Sequence, residues 1–344
     1  MRVVMTGGGG FIGSYVLARM VGAGIDVTLL GPNTGKSRYA AALVEAGDVR
    51  FVRCAETFYE EDLLRGALTG ADTLVLLGYL MPSSTGAQRL VDEFARNVDP
   101  LIRLVRAAEG HARHVVFASS ATVYGPLLHT PLRECDTPRP ATPYGVAKLA
   151  SEHAIRILCQ ASGQTAAVLR YSTVYGPGET VPRAIPNFIR AALTGAPPVV
   201  RGDGLDEHDY VHVADVADAT LAAVQRATNG VYNVATGTAT TTLDLARLVY
   251  TLAGATAAPV FDSSTEPARS RTRVVCDTEL SRAQLGFSAR RSLSDGISEE
   301  IGWFRCRPDL AAPPALAPIR LRPRADAVVI AAPAVAVSSP TAMP

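Results

Sequence analysis

Short apolar runs alternate with longer stretches whose apolar residues recur at helical spacing, from the first residues to about position 170. The apolar runs predict strands over 3–5, 27–30, 49–53, 73–77, 115–118 and 168–169. The stretches between them predict helices over 13–24, 60–68, 87–109 and 144–162. Continuously apolar strands separated by helices are typical of a parallel sheet covered on both faces. We therefore expect an α/β, doubly wound (Rossmann) domain over residues 1–171.

The pattern changes after residue 171. Prolines and glycines interrupt the chain often between 176 and 204, and helical spacing returns over 215–227 and 242–253. We expect a smaller, less regular part over 172–310, some of whose elements return to the first domain. Residues 311–344 are rich in Ala, Pro and Val without a clear period, which predicts a flexible tail.

The composition narrows the class of protein. The chain has 344 residues, 48% hydrophobic and 19% charged, with a formal net charge of +1. This favours a globular protein and argues against nucleic acid as the main partner, because phosphate binding needs a basic surplus or a basic face. Five cysteines without a CxxC pair argue against disulfides and a zinc site, so we expect no metal and a reducing cytoplasm. The apolar run 71–81 is about half the length of a membrane span, and no signal peptide is visible, so no membrane partner is expected.

A glycine-rich segment follows the first predicted strand and opens the first predicted helix. Gly7, Gly10 and Gly13 stand three residues apart in TGGGGFIG. Glycine permits the tight turn, lets backbone amides approach a pyrophosphate, and allows the helix to pack closely on the strand. The helix N-terminus adds partial positive charge. The segment predicts a dinucleotide-binding loop, with a flexible turn as the alternative.

The end of the second predicted strand bears on the choice between NAD and NADP. NAD-binding domains of this type place an acidic residue there for the adenosine ribose, whereas this chain has Gly31. No carboxylate repels a 2′-phosphate, and Lys36 and Arg38 follow closely. The segment favours NADP, unless the two cations are ordinary solvated charges of a loop.

A tyrosine and a lysine lie four residues apart in a predicted helix. Tyr144 and Lys148 then share one helix face. A nearby ammonium favours the phenolate and lowers the tyrosine pKa, which suits a general acid/base acting on an alcohol oxygen. Upstream, the strand over 115–118 ends in Ser119 and Ser120, at the strand end where an α/β site is expected. A serine there can bind the reacting oxygen or simply cap the strand.

Five motifs stand in order over about residues 1–300: TGGGGFIG at 6–13, SSATVYG at 119–125, PYGVAK at 143–148, LRYSTVYGPG at 169–178 and DYVHVADVADA at 209–219. Together they resemble the extended short-chain dehydrogenase/reductase superfamily, in its NAD-dependent epimerase/dehydratase branch. Within that branch the chain resembles UDP-glucose 4-epimerases and nucleotide-sugar 4-ketoreductases. The resemblance implies a nucleotide-sugar substrate, bound mainly by the part over 172–310.

The resemblance also implies roles for individual residues. Ser120 and Tyr144 would flank the sugar oxygen, and Lys148 would bind the nicotinamide ribose. The implied cofactor contacts are completed by Phe11 and Ile12, whose amides face the pyrophosphate, and by Leu77, Gly78, Asn97, Ser119 and Tyr171, the last beside the nicotinamide. The implied substrate contacts are Thr122, Thr173, Arg269 and Arg273. Asn97 has helix packing as its alternative role, and the two arginines have a solvated basic loop.

Several positions depart from the family pattern. Gly31 replaces the usual acid, and Thr173 stands where an asparagine is frequent. The segment 77–80 reads Leu-Gly-Tyr-Leu where the family has a run of small residues. These departures fall at the adenosine end of the cofactor site and in the sugar site, and they spare Ser120, Tyr144 and Lys148.

The motif SSATVYG, at the end of the strand predicted over 115–118, indicates which reaction of the family to expect. In the 4,6-dehydratases of the family that this chain resembles, an Asp-Glu pair follows the catalytic hydroxyl residue. In this chain Ala121 and Thr122 follow Ser120. The glutamate usual in decarboxylating members is also missing, which leaves hydride transfer at a carbinol carbon. We expect an NAD(P)-dependent epimerase acting at sugar C4, with an NADPH-dependent 4-ketoreductase of deoxysugar biosynthesis as the alternative. A non-catalytic dinucleotide sensor is a remote third possibility, because such proteins typically lose the tyrosine or lysine.

The helices predicted over 87–109 and 144–162 resemble those that form a four-helix bundle between two subunits in this family. A homodimer is the expected assembly.

Overall fold

The structure, a computed structural model, describes residues 1–35, 37–55, 61–126, 129–262, 272–311 and 321–322. Its strands, in chain order, are β1 (Arg2–Thr6), β2 (Asp26–Gly31), β3 (Arg50–Arg53), β4 (Thr73–Leu76), β5 (His114–Ser120), β6 (Thr165–Tyr171), β7 (Thr173–Tyr175), β8 (Val199–Arg201), β9 (Glu207–His208), β10 (Tyr210–His212), β11 (Gly230–Val234), β12 (Thr240–Thr241), β13 (Val260–Asp262), β14 (Arg273–Val274) and β15 (Leu321–Arg322). Its α-helices are α1 (Phe11–Gly22), α2 (Arg38–Glu45), α3 (Glu61–Leu68), α4 (Gly86–Glu93), α5 (Asp99–Ala107), α6 (Pro143–Ser162), α7 (Ala184–Leu193), α8 (Val213–Arg226), α9 (Thr242–Ala253), α10 (Leu293–Arg305) and α11 (Pro308–Ala311).

Three short helical turns complete the described elements. A π-helical turn, Phe94–Val98, joins α4 to α5, and a 3₁₀ turn, Ala121–Val123, follows β5. A second π-helical turn, Ser281–Leu285, precedes α10. No helix in the described ranges combines the length and the apolar character that a membrane span requires.

Within the described residues, seven parallel strands form the main sheet in the order β11-β6-β5-β4-β1-β2-β3. The chain runs outward from β1 through β2 and β3, then crosses back to lay β4 on the other side of β1. Such a switch in strand order opens a crevice at the carboxyl ends of the two strands. The predicted doubly wound α/β fold is confirmed.

Alternating side chains of the sheet feed two apolar cores. On one face, Val3 and Met5 of β1 pack in a cluster with Val16 and Leu17 of α1. On the other face, Val4 lies in a cluster that includes helices α3, α5 and α6. Because β1 and β4 are buried on both faces, they show the continuous apolar runs by which the sequence predicted them.

The second part of the chain has its own core. Phe188 of α7, Val249 of α9 and Phe304 of α10 are buried in one cluster. Two elements from this half of the chain return to the first domain, since β11 joins the main sheet and α8 packs on α1. Of the expected tail, Ala311 ends α11 and β15 pairs with β13, while 312–320 and 323–344 lie outside the described residues.

The helix predicted over 87–109 differs in detail from the structure. The chain is helical from Gly86 to Ala107, but the π-helical turn Phe94–Val98 interrupts the α-helical register. Pro100 follows directly in the first turn of α5, and because proline has no N–H it cannot bond to a carbonyl of the preceding turn. The π-helical turn therefore lies just before the position at which the regular hydrogen-bond pattern is interrupted.

Candidate active site

Three segments meet at the carboxyl edge of the sheet. They are the glycine loop after β1, residues 77–80 after β4, and Ser120 at the end of β5. Because β4 pairs with β1 on one side and β5 on the other, their carboxyl ends lie side by side. Between the glycine loop, the end of β2 and the π-helical turn lies a cavity of about 230 Å³. Its lining includes Gly7, Gly31, Gly78, Tyr79 and Asn97.

The glycine loop is shaped to admit a pyrophosphate. Gly7 has a φ of +73°, and a Cβ there would lie 2.5 Å from the amide nitrogen of Gly78. A Cβ on Gly13 would lie 2.0 Å from the carbonyl oxygen of Gly7, so the loop and α1 approach more closely than other residues permit. Helix α1 begins at Phe11 and carries no acid in its first turn. The amides of Phe11 and Ile12 are among the N–H groups that a helix start leaves free for an anion.

At the end of β2, where the sequence predicts contact with the adenosine ribose, the strand carries no acidic residue. Gly31 ends the strand, and a Cβ there would have nothing closer than 3.8 Å, so the space is open. Arg38 is exposed at the first helical position of α2. Lys36, the other cation predicted for a 2′-phosphate, lies outside the described residues.

The structure brings Ser120, Tyr144 and Lys148 together. Ser120 hydrogen-bonds the Tyr144 phenol, and its hydroxyl also accepts from the Thr122 amide at 3.3 Å. Helix α6 begins one residue before Tyr144, capped by Thr142, whose hydroxyl accepts from the Gly145 amide at 3.1 Å. Lys148 lies one turn further, and its ammonium donates to the Ala118 carbonyl at 2.7 Å. The β5 end and the α6 start therefore fix all three side chains.

Burial sets the pKa values of the pair, and for Tyr144 the direction differs from the prediction. Burial raises the pKa of Tyr144, while the hydrogen bond from Ser120 and the charge of Arg183 act in the opposite direction. Burial lowers the pKa of Lys148 to about 7, against the opposing influence of Glu152 and Glu93. The expected lowering of the Tyr144 pKa by Lys148 is thus corrected. The ammonium lies 5.8 Å from the Tyr144 ring centroid and is turned toward the β5 backbone.

Two residues predicted to contact the cofactor direct their side chains elsewhere. Ser119 is buried and donates its hydroxyl to Glu152, which is paired with Arg170 at 2.8 Å. The Tyr171 side chain is buried in the core, with its hydroxyl 2.8 Å from that of Thr220 on α8. Both lie on strands buried on both faces, where alternate side chains must point into one core or the other. The hydroxyls of Ser119 and Tyr171 are thus engaged within the protein, and a contact of either residue with the cofactor stays a prediction.

Asn97 clamps the segment after β4. Its side-chain oxygen accepts from the Leu80 amide at 2.8 Å, and its side-chain nitrogen donates to the Leu80 carbonyl at 2.9 Å. The same nitrogen donates to Glu93 at 3.0 Å. Asn97 also lines the cavity, as does Gly78, which follows Leu77 in the segment after β4.

Tyr79 and Glu93 belong to the site, although sequence analysis assigned them no role. The Tyr79 hydroxyl donates to Glu93, and its ring lies 5.0 Å from the Tyr144 ring. The substitution of small residues by Leu-Gly-Tyr-Leu at 77–80 was the available signal. The role of Tyr79 depends on its contact with Glu93, which lies 14 residues further along the chain, so a local sequence pattern does not show it.

The predicted substrate residues are less closely grouped. Thr122 is exposed beside Ser120, and Thr173 begins β7, its amide donating to the Asp209 carbonyl at 3.0 Å. Arg273 is exposed on β14 and ion-paired with Glu207 at 2.7 Å, while Arg269 lies outside the described residues. Arg183, to which the sequence analysis gave no role, is the cation whose charge acts to lower the pKa of Tyr144.

Known proteins resemble the chain over almost its whole length. A family model described as "NAD dependent epimerase/dehydratase family" matches residues 3–235. A UDP-glucose 4-epimerase of Mycolicibacterium smegmatis is 30% identical, over 89% of this chain and 99% of its own. A dTDP-glucose 4,6-dehydratase of Streptomyces niveus is 29% identical, over 89% and 93%. The solved structure of MoeE5 in complex with UDP-glucose and NAD is 29% identical, with a TM-score of 0.77 over 89% of this chain and 99% of that one.

Proposed function

The chain belongs to the NAD dependent epimerase/dehydratase family of the extended short-chain dehydrogenase/reductase superfamily, and from that premise we propose that it is an NAD(P)-dependent nucleotide-sugar 4-epimerase. The observation that carries the proposal is the grouping of Ser120, Tyr144 and Lys148 beside a glycine-lined cavity. A relative named UDP-glucose 4-epimerase and a structure holding UDP-glucose with NAD support a nucleotide-sugar substrate.

The residues of the cavity fit a dinucleotide. The loop around Gly7 and Gly13 has no room for a Cβ, and the free amides at the start of α1 suit a pyrophosphate. Lys148 would hold the nicotinamide ribose, and Asn97 holds the wall at Leu80. A bound nicotinamide would accept a hydride from the sugar carbon and later return it.

The chain itself supplies proton chemistry. Tyr144 would take the proton of the sugar C4 hydroxyl and later return it, and Ser120 would hold the same oxygen by a hydrogen bond. The cation of Lys148 favours the phenolate that this exchange requires. Because burial opposes that phenolate in the ligand-free site, substrate and cofactor would have to supply part of its stabilisation.

Two residues support epimerisation over dehydration. Elimination of water needs an acid and a base beyond the tyrosine, and Ala121 and Thr122 occupy the positions after Ser120. Ala121 is buried and Thr122 exposed, and neither side chain exchanges protons near neutral pH.

An NADPH-dependent 4-ketoreductase is the second candidate, favoured by one observation. The space beside Gly31 is open and lacks a carboxylate, and Arg38 is exposed nearby. A 2′-phosphate meets no repulsion there. The same Tyr144 would then donate its proton to a keto oxygen.

The dinucleotide released by denaturing the purified chain distinguishes the two. We expect stoichiometric NAD, together with interconversion of UDP-glucose and UDP-galactose without added cofactor. An empty protein that binds NADPH more tightly than NADH, and reduces a 4-keto sugar nucleotide, would contradict the epimerase and establish the reductase.

We also propose that the protein is a homodimer. Val91 and Phe94 lie exposed beside a groove lined by Ala150 and Ala154, between the α4 to α5 stretch and α6. Ile157 on α6 is 66% exposed. Exposed apolar residues collected on two adjacent helices support a protein interface at this face.

A further inference from the structure

The ring of Tyr79 lies against both the catalytic tyrosine and the lysine. Its centroid is 5.0 Å from that of Tyr144, in an edge-to-face arrangement at 77°. The Lys148 ammonium nitrogen lies 4.4 Å from the Tyr79 centroid, within range of a cation–π contact. The Tyr79 ring therefore packs against the Tyr144 ring and lies next to the Lys148 ammonium.

A buried network fixes the Tyr79 ring from behind. Its hydroxyl donates to Glu93, which is fully buried at the end of α4. Glu93 also accepts from Arg89 Nε at 2.8 Å and from Asn97 Nδ2 at 3.0 Å. Asn97 in turn holds Leu80, the next residue along the segment. A fully hydrogen-bonded carboxylate of this kind holds its partners in one geometry.

The surroundings of Lys148 indicate that the Tyr79 ring keeps water from the ammonium. The ammonium lies between the Tyr79 ring and that of Phe117, whose centroid is 4.9 Å away, and it donates to the Ala118 carbonyl. Water would compete for this ammonium if the Tyr79 side were open. The charged or titratable groups facing the Tyr79, Tyr144 and Lys148 cluster are Glu93, Arg89, Glu152 and Arg183.

We propose that Tyr79 is a positioning residue of the hydride-transfer site: its ring shields Lys148 and Tyr144 from water and directs the ammonium toward the Ala118 carbonyl. This inference rests on the proposed function and deepens it. The side chain does the positioning through Glu93, so the hydroxyl holds the ring and the ring does the shielding.

The chain offers a direct measurement, because it contains only two lysines, Lys36 and Lys148. Lysine labelled with ¹³C at Cε gives two NMR signals in the full-length protein, each of which reports the titration of its own amine. Burial lowers the pKa of Lys148 to about 7, so it titrates far below an ordinary lysine, near 10.4. Lys36 serves as the internal reference.

Tyr79→Ala should raise the pKa of Lys148 by about one pH unit or more, because water then reaches the ammonium. Tyr79→Leu, which keeps an apolar side chain and guards against misfolding, should raise it in the same direction. Tyr79→Phe keeps the ring but removes its hydrogen bond to Glu93, so the pKa of Lys148 should rise by less than in Tyr79→Ala. Tyr232→Phe is the matched control, since it removes a tyrosine hydroxyl that donates to Gln284 at 2.9 Å on another part of the sheet.

Turnover provides the second readout. Tyr79→Ala should lower kcat by about tenfold while KM for the nucleotide sugar changes little, because the ring orients the pair rather than binding substrate. Tyr79→Phe, which loses only the hydrogen bond to Glu93, should lower kcat by less than Tyr79→Ala does.

A Lys148 titration that stays near pH 7 in both Tyr79→Ala and Tyr79→Leu would overturn the assignment, even if the melting temperature falls. That outcome marks Tyr79 as a packing residue and leaves the proposed function intact. Turnover by Tyr144→Phe, in contrast, would overturn the proposed function whatever the lysine signals show.

Discussion

The surroundings of Tyr144 favour the protonated phenol. Burial raises its pKa, and the Ser120 hydrogen bond offsets only part of the effect. Lys148 shows the mirror image, since burial lowers its pKa to about 7. Both pKa shifts have the same cause: removal from water disfavours the charged form of each side chain, the phenolate of Tyr144 and the ammonium of Lys148. Forming the phenolate and keeping the ammonium therefore both cost desolvation energy in the ligand-free site, which bound substrate and cofactor would have to offset.

Tyr144→Phe should lower kcat by about 10²- to 10⁴-fold, because the substitution deletes the general acid/base and leaves the ring in place. Dinucleotide binding should stay close to that of the unaltered protein, since the glycine loop is untouched. Steady-state turnover and the dinucleotide content of the purified variant measure the two effects.

Tyr124→Phe is a suitable control for this substitution. Tyr124 lies in the motif SSATVYG that contains Ser120, is fully buried, and donates to the Asn233 side chain at 2.6 Å. Its loss should reduce stability by about 1 kcal/mol and leave kcat nearly unchanged. Equal losses of turnover in both variants would indicate a general disturbance of the motif and contradict the role given to Tyr144.

Helix α10 carries a carboxyl group that the fold keeps from water. Glu300 is fully buried, and no side chain among the described residues hydrogen-bonds its carboxyl oxygens. Burial, reinforced by the nearby Glu179, raises the pKa of Glu300 to about 9. Burial also raises the pKa of Glu179 to about 7. The packing of α10 therefore favours a protonated Glu300 at neutral pH.

The stability of this packing should depend on pH with a definite sign. An unfolded glutamate titrates near 4.3, so between about pH 4.3 and 9 the folded state holds a proton that the unfolded state has lost. The free energy of unfolding then falls as pH rises through that window. Glu300→Gln mimics the protonated acid and should remove this contribution.

Relative to the unaltered protein, Glu300→Gln should be equally stable at pH 5 and more stable at pH 8, by on the order of 2 kcal/mol or more. Denaturant unfolding at the two pH values measures the difference. Glu299→Gln is the control on the same helix, because Glu299 is 47% exposed and pairs with Arg291 at 3.6 Å. Stability curves for Glu300→Gln and the unaltered protein that run parallel across this range would rule out a buried, protonated Glu300.

At the scale of the whole molecule, the helices α4 and α6 leave an apolar face open. Val91 is 59% exposed and Ile157 66% exposed. If this face is the interface of the proposed homodimer, a charge at its centre should separate the subunits, because a lone carboxylate cannot be buried without a partner.

Val91→Glu should convert a dimer into a monomer in light scattering coupled to gel filtration. Leu63→Glu provides the control, since Leu63 is an exposed apolar residue on a different helix, α3, and its substitution should leave the dimer intact. A monomeric unaltered protein, or a dimer that persists in Val91→Glu, would show that this face does not join two subunits.

Local residue patterns predicted six of the seven strands of the main sheet, all but β11, together with most of the helices that cover it and the motifs of the site. Buried parallel strands such as β1 and β4 must be apolar throughout, and the loop at Gly7 and Gly13 has no room for a Cβ, so each feature shows in local residue patterns. The spacing of Tyr144 and Lys148 on one helix placed them on one face for the same reason. Where a constraint acts within a few residues, the sequence displays it.

The interactions between the side chains of the site depend on the tertiary structure. Burial reversed the expected direction of the Tyr144 pKa, and the two-sided burial of β5 and β6 turned Ser119 to Glu152 and Tyr171 to Thr220. Desolvation depends on everything that surrounds a group. The direction of a strand side chain depends on which core its face meets. Both are sums over residues distant in the chain, and therefore only the folded molecule could fix them.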